Sequence, residues 1–465
     1  MSDYPERNIE AMRRELELLL ELDDDRLEAI GNGTNEEISQ LGLADEDERL
    51  LRSIGAKQRQ ELVDVDDRDA EVLLEMSDHI QLLGASEYSD QRHEFLLRRN
   101  FVIAKRCGGL ADALEDLDAA ERIVRWINDE QDGSPETNKD YRVAFRMFGD
   151  LATEGEGKPE SIAWVPGGYP SNYDPAPQPE KMFRWDRHIV PMLDACRNSR
   201  DRALIALAWD LGPRPSELFD LTVGRVSDHK YGKQVTLYRG KQGTRSPIIV
   251  PSVPYVQGWL RDHPDGDDPE APLWPTLNGS EAITNNRIRD ILKERARAAD
   301  MTPPSTPTPS RMRKSSASHL ASQSVSQAHL EDHHGWNRGS KVAARYIAVF
   351  GDANDREIAR VHGVEIDVED ENDAIAPVTC PRCQRETPGQ DDMCMWCDAA
   401  LSAGAVGRIR DQTRTVRAEM LRMVQEDPSI LGDIESTEEL IRLVDERPGT
   451  LDDARALLEA IEGGD

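Results

Sequence analysis

The stretch "EDHHGWNRGSKVAARYIAVFG", residues 331–351, brings Arg338, Lys341 and Arg345 up to a single tyrosine, Tyr346. A phenol among cations suggests a nucleophile for an anionic phosphate. A tyrosine at the end of a small-residue helix also serves as an ordinary core or surface residue. In "LGPRPSELFDL", residues 211–221, Arg214 follows a Gly-Pro pair and Glu217 stands three residues on. That arginine can present a two-pronged fork to a phosphate, with Glu217 orienting it. The plainer alternative is a surface ion pair of little energy. "YRGKQGTRS" sets Lys241 and Arg245 around a Gly-containing turn, within reach of a backbone phosphate or a groove. "PSRMRKSSAS", residues 309–318, supplies Arg311, Arg313 and Lys314 without an acidic neighbour.

A second chemistry lies in "CPRCQRETPGQDDMCMWC". Cys380, Cys383, Cys394 and Cys397 form two Cys-x2-Cys knuckles ten residues apart. Thiolates at that spacing make a closed tetrahedral site, a structural Zn2+ with no open position for catalysis. A pair of disulfides is the alternative, disfavoured in a reducing cytoplasm. Such a site ties down a small module for protein or DNA contact. Cys107 and Cys196 read as buried small hydrophobes.

The elements that must position these residues come from pattern and composition. The chain has 465 residues, 57 Lys+Arg and 89 Asp+Glu, a formal net charge of -32. That length implies two to four domains. Abundant carboxylates with arginine preferred over lysine (11 Lys, 46 Arg) fit a salt-rich cytoplasm; disordered acidic segments are the alternative. Residues 181–350 hold 25 basic against 18 acidic residues, a net of +7 inside an otherwise acidic chain. A basic block is the electrostatic footprint of a polyanion, or simply a solvated face. No run approaches the ~18 apolar residues of a membrane span. The N-terminus lacks a secretory apolar core, so a cytoplasmic location is expected.

Residues 1–82 read as acidic amphipathic helices and 83–163 as a second helical block. In "TNKDYRVAFRMFGDL", Tyr141, Phe145 and Phe148 make an apolar stripe, while Lys139, Arg142 and Arg146 share another face that could lie on DNA. Residues 164–180, rich in Pro and Gly, are a linker. In 181–363, "DRALIALAWDLG" is an apolar helix closed by Gly212, and "KQVTLYR" and "SPIIVPSV" are strands joined as a hairpin. Further helices are "NNRIRDILKERARAA" and "RMRKSSASHLASQ". An acidic linker (364–378), the cysteine module (379–400) and an acidic helical tail (401–465) follow. The fold class expected is mainly α with a small antiparallel β-sheet.

Taken in order, Arg214, Lys241, Arg313, Trp336 and Tyr346 resemble the tyrosine recombinase (phage integrase) family. "LGPRPSEL" is similar to its first-arginine box and "GKQGTR" to its lysine hairpin. "SRMRKSSAS" is similar to its His-x-x-Arg box, and "HHGWNRGSKVAARY" to its Gly-His/Trp box with the nucleophilic tyrosine. The resemblance covers about 178–350 and extends more loosely to 86–152, which is similar to the family's helical core-binding domain. Two positions depart: Ser310 stands where the family usually has His, and Trp336 where many members have His. Neighbouring His333 and His334 could substitute for that imidazole; the plainer alternative is that they are satisfied polar residues. Some archaeal integrases carry a similar zinc module after the tyrosine.

The resemblance implies a mixed α/β catalytic domain and a C-shaped clamp of two domains around double-stranded DNA. It implies a metal-free cleavage in which Tyr346 attacks the scissile phosphorus, Arg214 and Arg313 hold the non-bridging oxygens, Lys241 protonates the leaving 5′-oxygen and Trp336 packs beside the phosphate. Glu217 and Ser310 support them. Arg245, Lys139, Arg142, Arg146, Arg311 and Lys314 are the expected DNA contacts. A homo-tetramer on DNA is implied, with no membrane and no small-molecule substrate. Two other classes stay open: a non-catalytic DNA-binding protein that keeps the fold, and a zinc-ribbon adaptor.

Overall fold

The computed structural model describes residues 8–130, 133–153, 157–170, 173–240, 243–323, 325–349, 358–359, 361–363 and 375–426. The chain packs as two compact units, Met1–Asp174 and Pro175–Asp465. It thus divides inside the Pro- and Gly-rich stretch. Among the described residues no helix is long and apolar enough to cross a membrane.

The first unit is helical. The elements used below are α1 (Ile9–Glu21), α2 (Asp67–Leu83), α3 (Asp90–Arg106) and α4 (Pro135–Leu151). Asn8 caps α1 by accepting the Ala11 N–H at 2.8 Å, and Ser134 with Pro135 starts α4. One core runs from Met12 to Val165, so residues on both sides of position 83 share it. Tyr141, Phe145 and Phe148 are buried in it, as their spacing predicts.

The basic face of α4 is not open. Arg142 is buried and donates to Asn128 Oδ1 (2.7 Å), Pro166 O (3.1 Å) and Gly168 O (3.1 Å). Arg146 donates to the Val165 and Ala163 carbonyls, and Lys139 Nζ sits 4.4 Å from the Tyr169 ring centre. These three cations, expected to face DNA, bind the chain's own segment 163–169. The reason is backbone accounting: an irregular stretch leaves carbonyls without ladder partners, and guanidinium N–H groups supply them.

The second unit is mainly α with small antiparallel sheets. Helix α5 (Ser199–Asp210) is apolar nearly all round, and is accordingly buried. It ends before Gly212, whose φ of +54° suits glycine. A short α6 (Pro215–Phe219) leads to strands β1 (Val226–His229), β2 (Gly232–Val235), β3 (Leu237–Gly240), β4 (Gly243–Arg245) and β5 (Ile248–Ile249). β1, β2 and β5 form one antiparallel sheet in that order, and β3 and β4 a hairpin with Gly240 opposite Gly243. β1, "VSDH", has no apolar alternation and gave no sequence signal.

Helices α7 (Val253–Asp262), α8 (Pro309–Ser322), α9 (Gln327–His334) and α10 (Lys341–Val349) follow in the same unit, with a further helix, Asn285–Ala298, between α7 and α8. The main core spans Phe183 to Met312. A separate small cluster joins Ala317, Ala321, Leu330 and Tyr346. After it come a two-stranded ribbon, β6 (Val378–Thr379) and β7 (Glu386–Thr387), and α11 (Ala403–Glu426). Residues 364–374 of the expected acidic linker and 427–465 of the expected tail lie outside the described residues.

Candidate active site

Arg214 is the residue before α6, with Pro215 in the first helical position and Glu217 in the third. Glu217 reaches back to the Arg214 N–H (Oε2, 2.7 Å) and also accepts Arg214 Nη1 (Oε1, 2.7 Å). From β4, Arg245 lays its fork on the same carboxylate, Nη1 to Oε1 at 2.7 Å and Nη2 to Oε2 at 2.8 Å. Burial pushes the Glu217 carboxyl up, but Arg245 and Arg214 outweigh it and hold it below the usual range. Glu217 is therefore ionised at neutral pH.

The C-terminus of α9 meets the same arginines. Gly335 takes φ +62°, and the chain closes with Trp336 N–H donating to Glu331 O at 2.9 Å. Three successive carbonyls each then accept one arginine. His333 O takes Arg245 Nε (3.1 Å), His334 O takes Arg313 Nη2, and Gly335 O takes Arg214 Nη2 (2.6 Å). Arg313, on α8, also donates Nη1 to Gly212 O at 2.8 Å. Burial, then Arg214 and Arg245 beside it, pull the Arg313 guanidinium down to about 9, so it stays charged at neutral pH. Three guanidiniums against one carboxylate leave positive charge that an anion would neutralise.

Tyr346 lies against this cluster. Its ring stacks on Trp336 at 5.5 Å between centres with 16° between planes, and Arg313 lies 5.3 Å from the Trp336 ring centre. Tyr346 is 6% exposed; burial pushes its phenol up to about 12, while Arg313, Arg311 and Arg345 pull the other way. The phenol is therefore neutral at physiological pH.

Residues 186–351 match the phage integrase family. No curated protein matches the chain. Among solved structures, the XerA recombinase aligns over 64% of this chain and 99% of its own at 15% identity and a TM-score of 0.33. The lambda integrase dimer bound to a COC′ core site aligns over 60% and 76% at 14% identity and 0.46. The Tn1549 transposon integrase in complex with transposon right end DNA aligns over 63% and 99% at 15% identity and 0.45.

Of the residues singled out in the integrase-family segment, Arg214, Glu217, Arg313, Trp336 and Tyr346 come together. Arg245 joins them from inside rather than facing a groove. Lys241 lies outside the described residues. Ser310 is exposed on the first turn of α8, Lys314 is exposed further along it and Arg311 is half-buried. Sequence reasoning missed the Gly212, His333, His334 and Gly335 carbonyls, because backbone acceptors carry no side-chain signature. Gly335 just after a His-His helix end was the available signal. His333 and His334 are held neutral: burial pushes His333 down to about 4 and His334 well below its ordinary value. Neither ring nitrogen of His334 makes a well-formed hydrogen bond.

The four cysteines also come together, with all sulfurs within 4.8 Å of one another. Cys380 and Cys397 are 3.7 Å apart and Cys383 and Cys394 3.6 Å. A tetrahedral metal with bonds of about 2.3 Å requires edges of about 3.8 Å, so the set can hold a metal such as zinc. Thr387 O–H and Trp396 N–H donate to Cys394 Sγ at 3.4 Å each. The module rests on α7: Gln390 donates to Tyr255 Oη (2.7 Å), Gln257 to Glu386 Oε2 (3.3 Å), and Arg261 covers the Trp396 ring at 5.0 Å.

Two outcomes follow from this packing. His334→Leu should raise stability at pH 7 by about 1–2 kcal/mol, since it removes buried ring nitrogens that make no well-formed hydrogen bond. The folded His334 resists protonation, so wild type loses stability as pH falls below the unfolded value near 6.5; the Leu variant should lose less between pH 6.5 and 5. Melting curves across that range test both. Separately, a strong chelator should expose four reactive thiols and lower the melting temperature of the second unit, because the cysteine module packs on α7. Thiol release with an unchanged melt would mean the module contributes nothing to that unit.

Proposed function

We propose that the protein is a site-specific DNA recombinase. Tyr346 Oη attacks the scissile phosphorus; the new O–P bond forms as the P–O5′ bond breaks, giving a 3′-phosphotyrosyl intermediate. The Tyr346 proton passes to water during the attack, and Lys241 supplies a proton to the departing 5′-oxygen. Arg214 and Arg313 clamp the non-bridging oxygens and stabilise their developing charge. Trp336 packs beside the phosphate. The phosphodiester energy is kept in the covalent link, so a second 5′-hydroxyl can reverse the step on another strand. No cofactor takes part in the chemistry, and zinc in the four-cysteine site is structural. The partner is double-stranded DNA, held in a two-domain clamp with several copies assembling on it.

The observation that carries this reading is a cluster of arginines, in excess over their one carboxylate, set beside a buried tyrosine. A diester phosphate is the anion that needs such a clamp and that a phenol can attack reversibly. A catalytically impaired DNA-binding protein is the second reading, favoured by exposed Ser310 where the family has His. The acidic, arginine-rich composition makes high KCl the appropriate medium.

The test uses nicked DNA from the chain's own genomic neighbourhood in high KCl, read as a covalent protein–DNA band on a denaturing gel. Wild type should give the band and Tyr346→Phe should not. DNA binding without any covalent band would favour the second reading.

A further inference from the structure

The hairpin residue Arg245 follows Lys241 by four positions, where a cation would ordinarily reach a DNA backbone. Its side chain is only 12% exposed. Its fork closes on both oxygens of Glu217 and its Nε on His333 O. We propose that Arg245 is a positioning residue, which sets Arg214 through the shared Glu217 carboxylate and ties the β3–β4 hairpin to the α9 C-terminus. This rests on the recombinase reading above and deepens it.

The geometry supports action through another group rather than contact with substrate. Glu217 Oε1 accepts from Arg245 and Arg214 at once, 2.7 Å from each. The orientation of the Arg214 guanidinium therefore depends on where Arg245 holds that oxygen. The α9 end fixes the same set from the other side. His333, His334 and Gly335 carbonyls receive Arg245, Arg313 and Arg214 in turn, so one helix end sets the spacing of all three guanidiniums. Partial negative charge at a helix C-terminus favours cations there. Trp336 follows directly, which places the ring under Tyr346 in register with the arginines.

Gly335 belongs to this device. A Cβ at Gly335 would meet Arg245 Nη1 at 2.5 Å and Cδ at 3.0 Å, and its φ is +62°. Only a glycine lets the Arg245 stem pass beneath the helix end. Gly240 and Gly243 pair across the hairpin that carries Arg245. Anchoring one strand by an ion pair and a backbone carbonyl fixes that hairpin against the α9 C-terminus.

The experiment compares wild type, Arg245→Gln, Arg245→Lys and Gly335→Ala on the nicked substrate. Single-turnover cleavage at saturating DNA gives the chemical step. DNA affinity across a KCl series, in a Tyr346→Phe background, gives binding. A positioning role predicts that Arg245→Gln lowers the cleavage rate about a hundredfold, the order expected for a misplacement of about 1 Å. The salt slope of its DNA affinity should stay that of the parent. Arg245→Lys, keeping the charge with fewer donors, should recover part of the rate. Gly335→Ala should lower the rate with the slope unchanged, although no charge is removed.

A direct phosphate contact predicts a different pattern: a slope shallower by about 0.9 in Arg245→Gln, and cleavage restored by raising the DNA concentration. That pattern would overturn the proposal. So would full cleavage by Arg245→Gln. If Arg245→Gln does not fold, the lysine and alanine variants decide by the same two readouts. Wild type that forms no covalent product would instead remove the recombinase reading itself, and the positioning role with it.

Discussion

The site depends on one buried carboxylate. Glu217 accepts four hydrogen bonds, three from guanidinium nitrogens and one from the backbone at its own helix start. Like charges about 4 Å apart repel by about 4 kcal/mol at an effective dielectric of about 20, so three arginines do not gather unaided. Glu217 offsets part of that repulsion, and the exposed carbonyls at the α9 end offset more. What they leave uncompensated is the site's capacity for an anion. The low Arg313 value expresses the same imbalance: burial first, two like charges next, and one carboxylate too few.

Behind the arginines the framework is held by polar anchors inside an apolar wall. The Asp210 carboxylate, at the end of α5, accepts the Val250 N–H (2.8 Å), the Ser252 N–H (3.0 Å) and the Ser252 hydroxyl (2.7 Å). Its backbone carbonyl accepts from Ser316 Oγ on α8 at 3.0 Å. Ser315, one residue earlier, accepts the Phe183 N–H at 2.9 Å, and Trp209 donates to the Phe183 carbonyl at 2.8 Å. The two buried serines thus fix α8 against Asp210 and Phe183. The sheet exit, α5 and α8 meet at one residue, two positions before Gly212. An arginine pocket assembled from four elements keeps its geometry only if those elements share such joints. The cysteine module lies one layer further out, on the α7 face bearing Tyr255, Gln257 and Arg261.

Much of this was legible in the sequence, and the limits have physical causes. The stripe of Tyr141, Phe145 and Phe148 and the strand stretches "KQVTLYR" and "SPIIVPSV" are local signals, whereas β4 falls inside the stretch read as the turn. The Arg214–Glu217 pair is also local, because residues three apart at a helix start are neighbours whatever the rest of the chain does. Arg245 was read as a DNA contact because a turn cation points outward unless something holds it. Its partner is 28 residues away, and no spacing rule reaches that far. The basic row on α4, expected to face DNA, shows the opposite limit. Periodicity gives the face a residue shares but not what covers that face, and here an irregular segment with unpaired carbonyls covers it. The four cysteines were readable in full as a group, because their chemistry needs little beyond two knuckles.

The tyrosine is held differently from the arginines. Arg214, Arg245 and Arg313 are fixed by ionic and backbone hydrogen bonds against elements of the main core. Tyr346 instead belongs to a small cluster with Ala317, Ala321 and Leu330, supported at its edge by Leu320, Val325, Trp336 and Ile347. Few buried apolar contacts place a segment at the low end of local stability. The link between the two is the Trp336 ring, stacked on Tyr346 and continuous in sequence with the carbonyls that hold the guanidiniums. A charged pocket fixed by ionic and backbone hydrogen bonds and a tyrosine held by a small apolar cluster are thus joined through one aromatic contact.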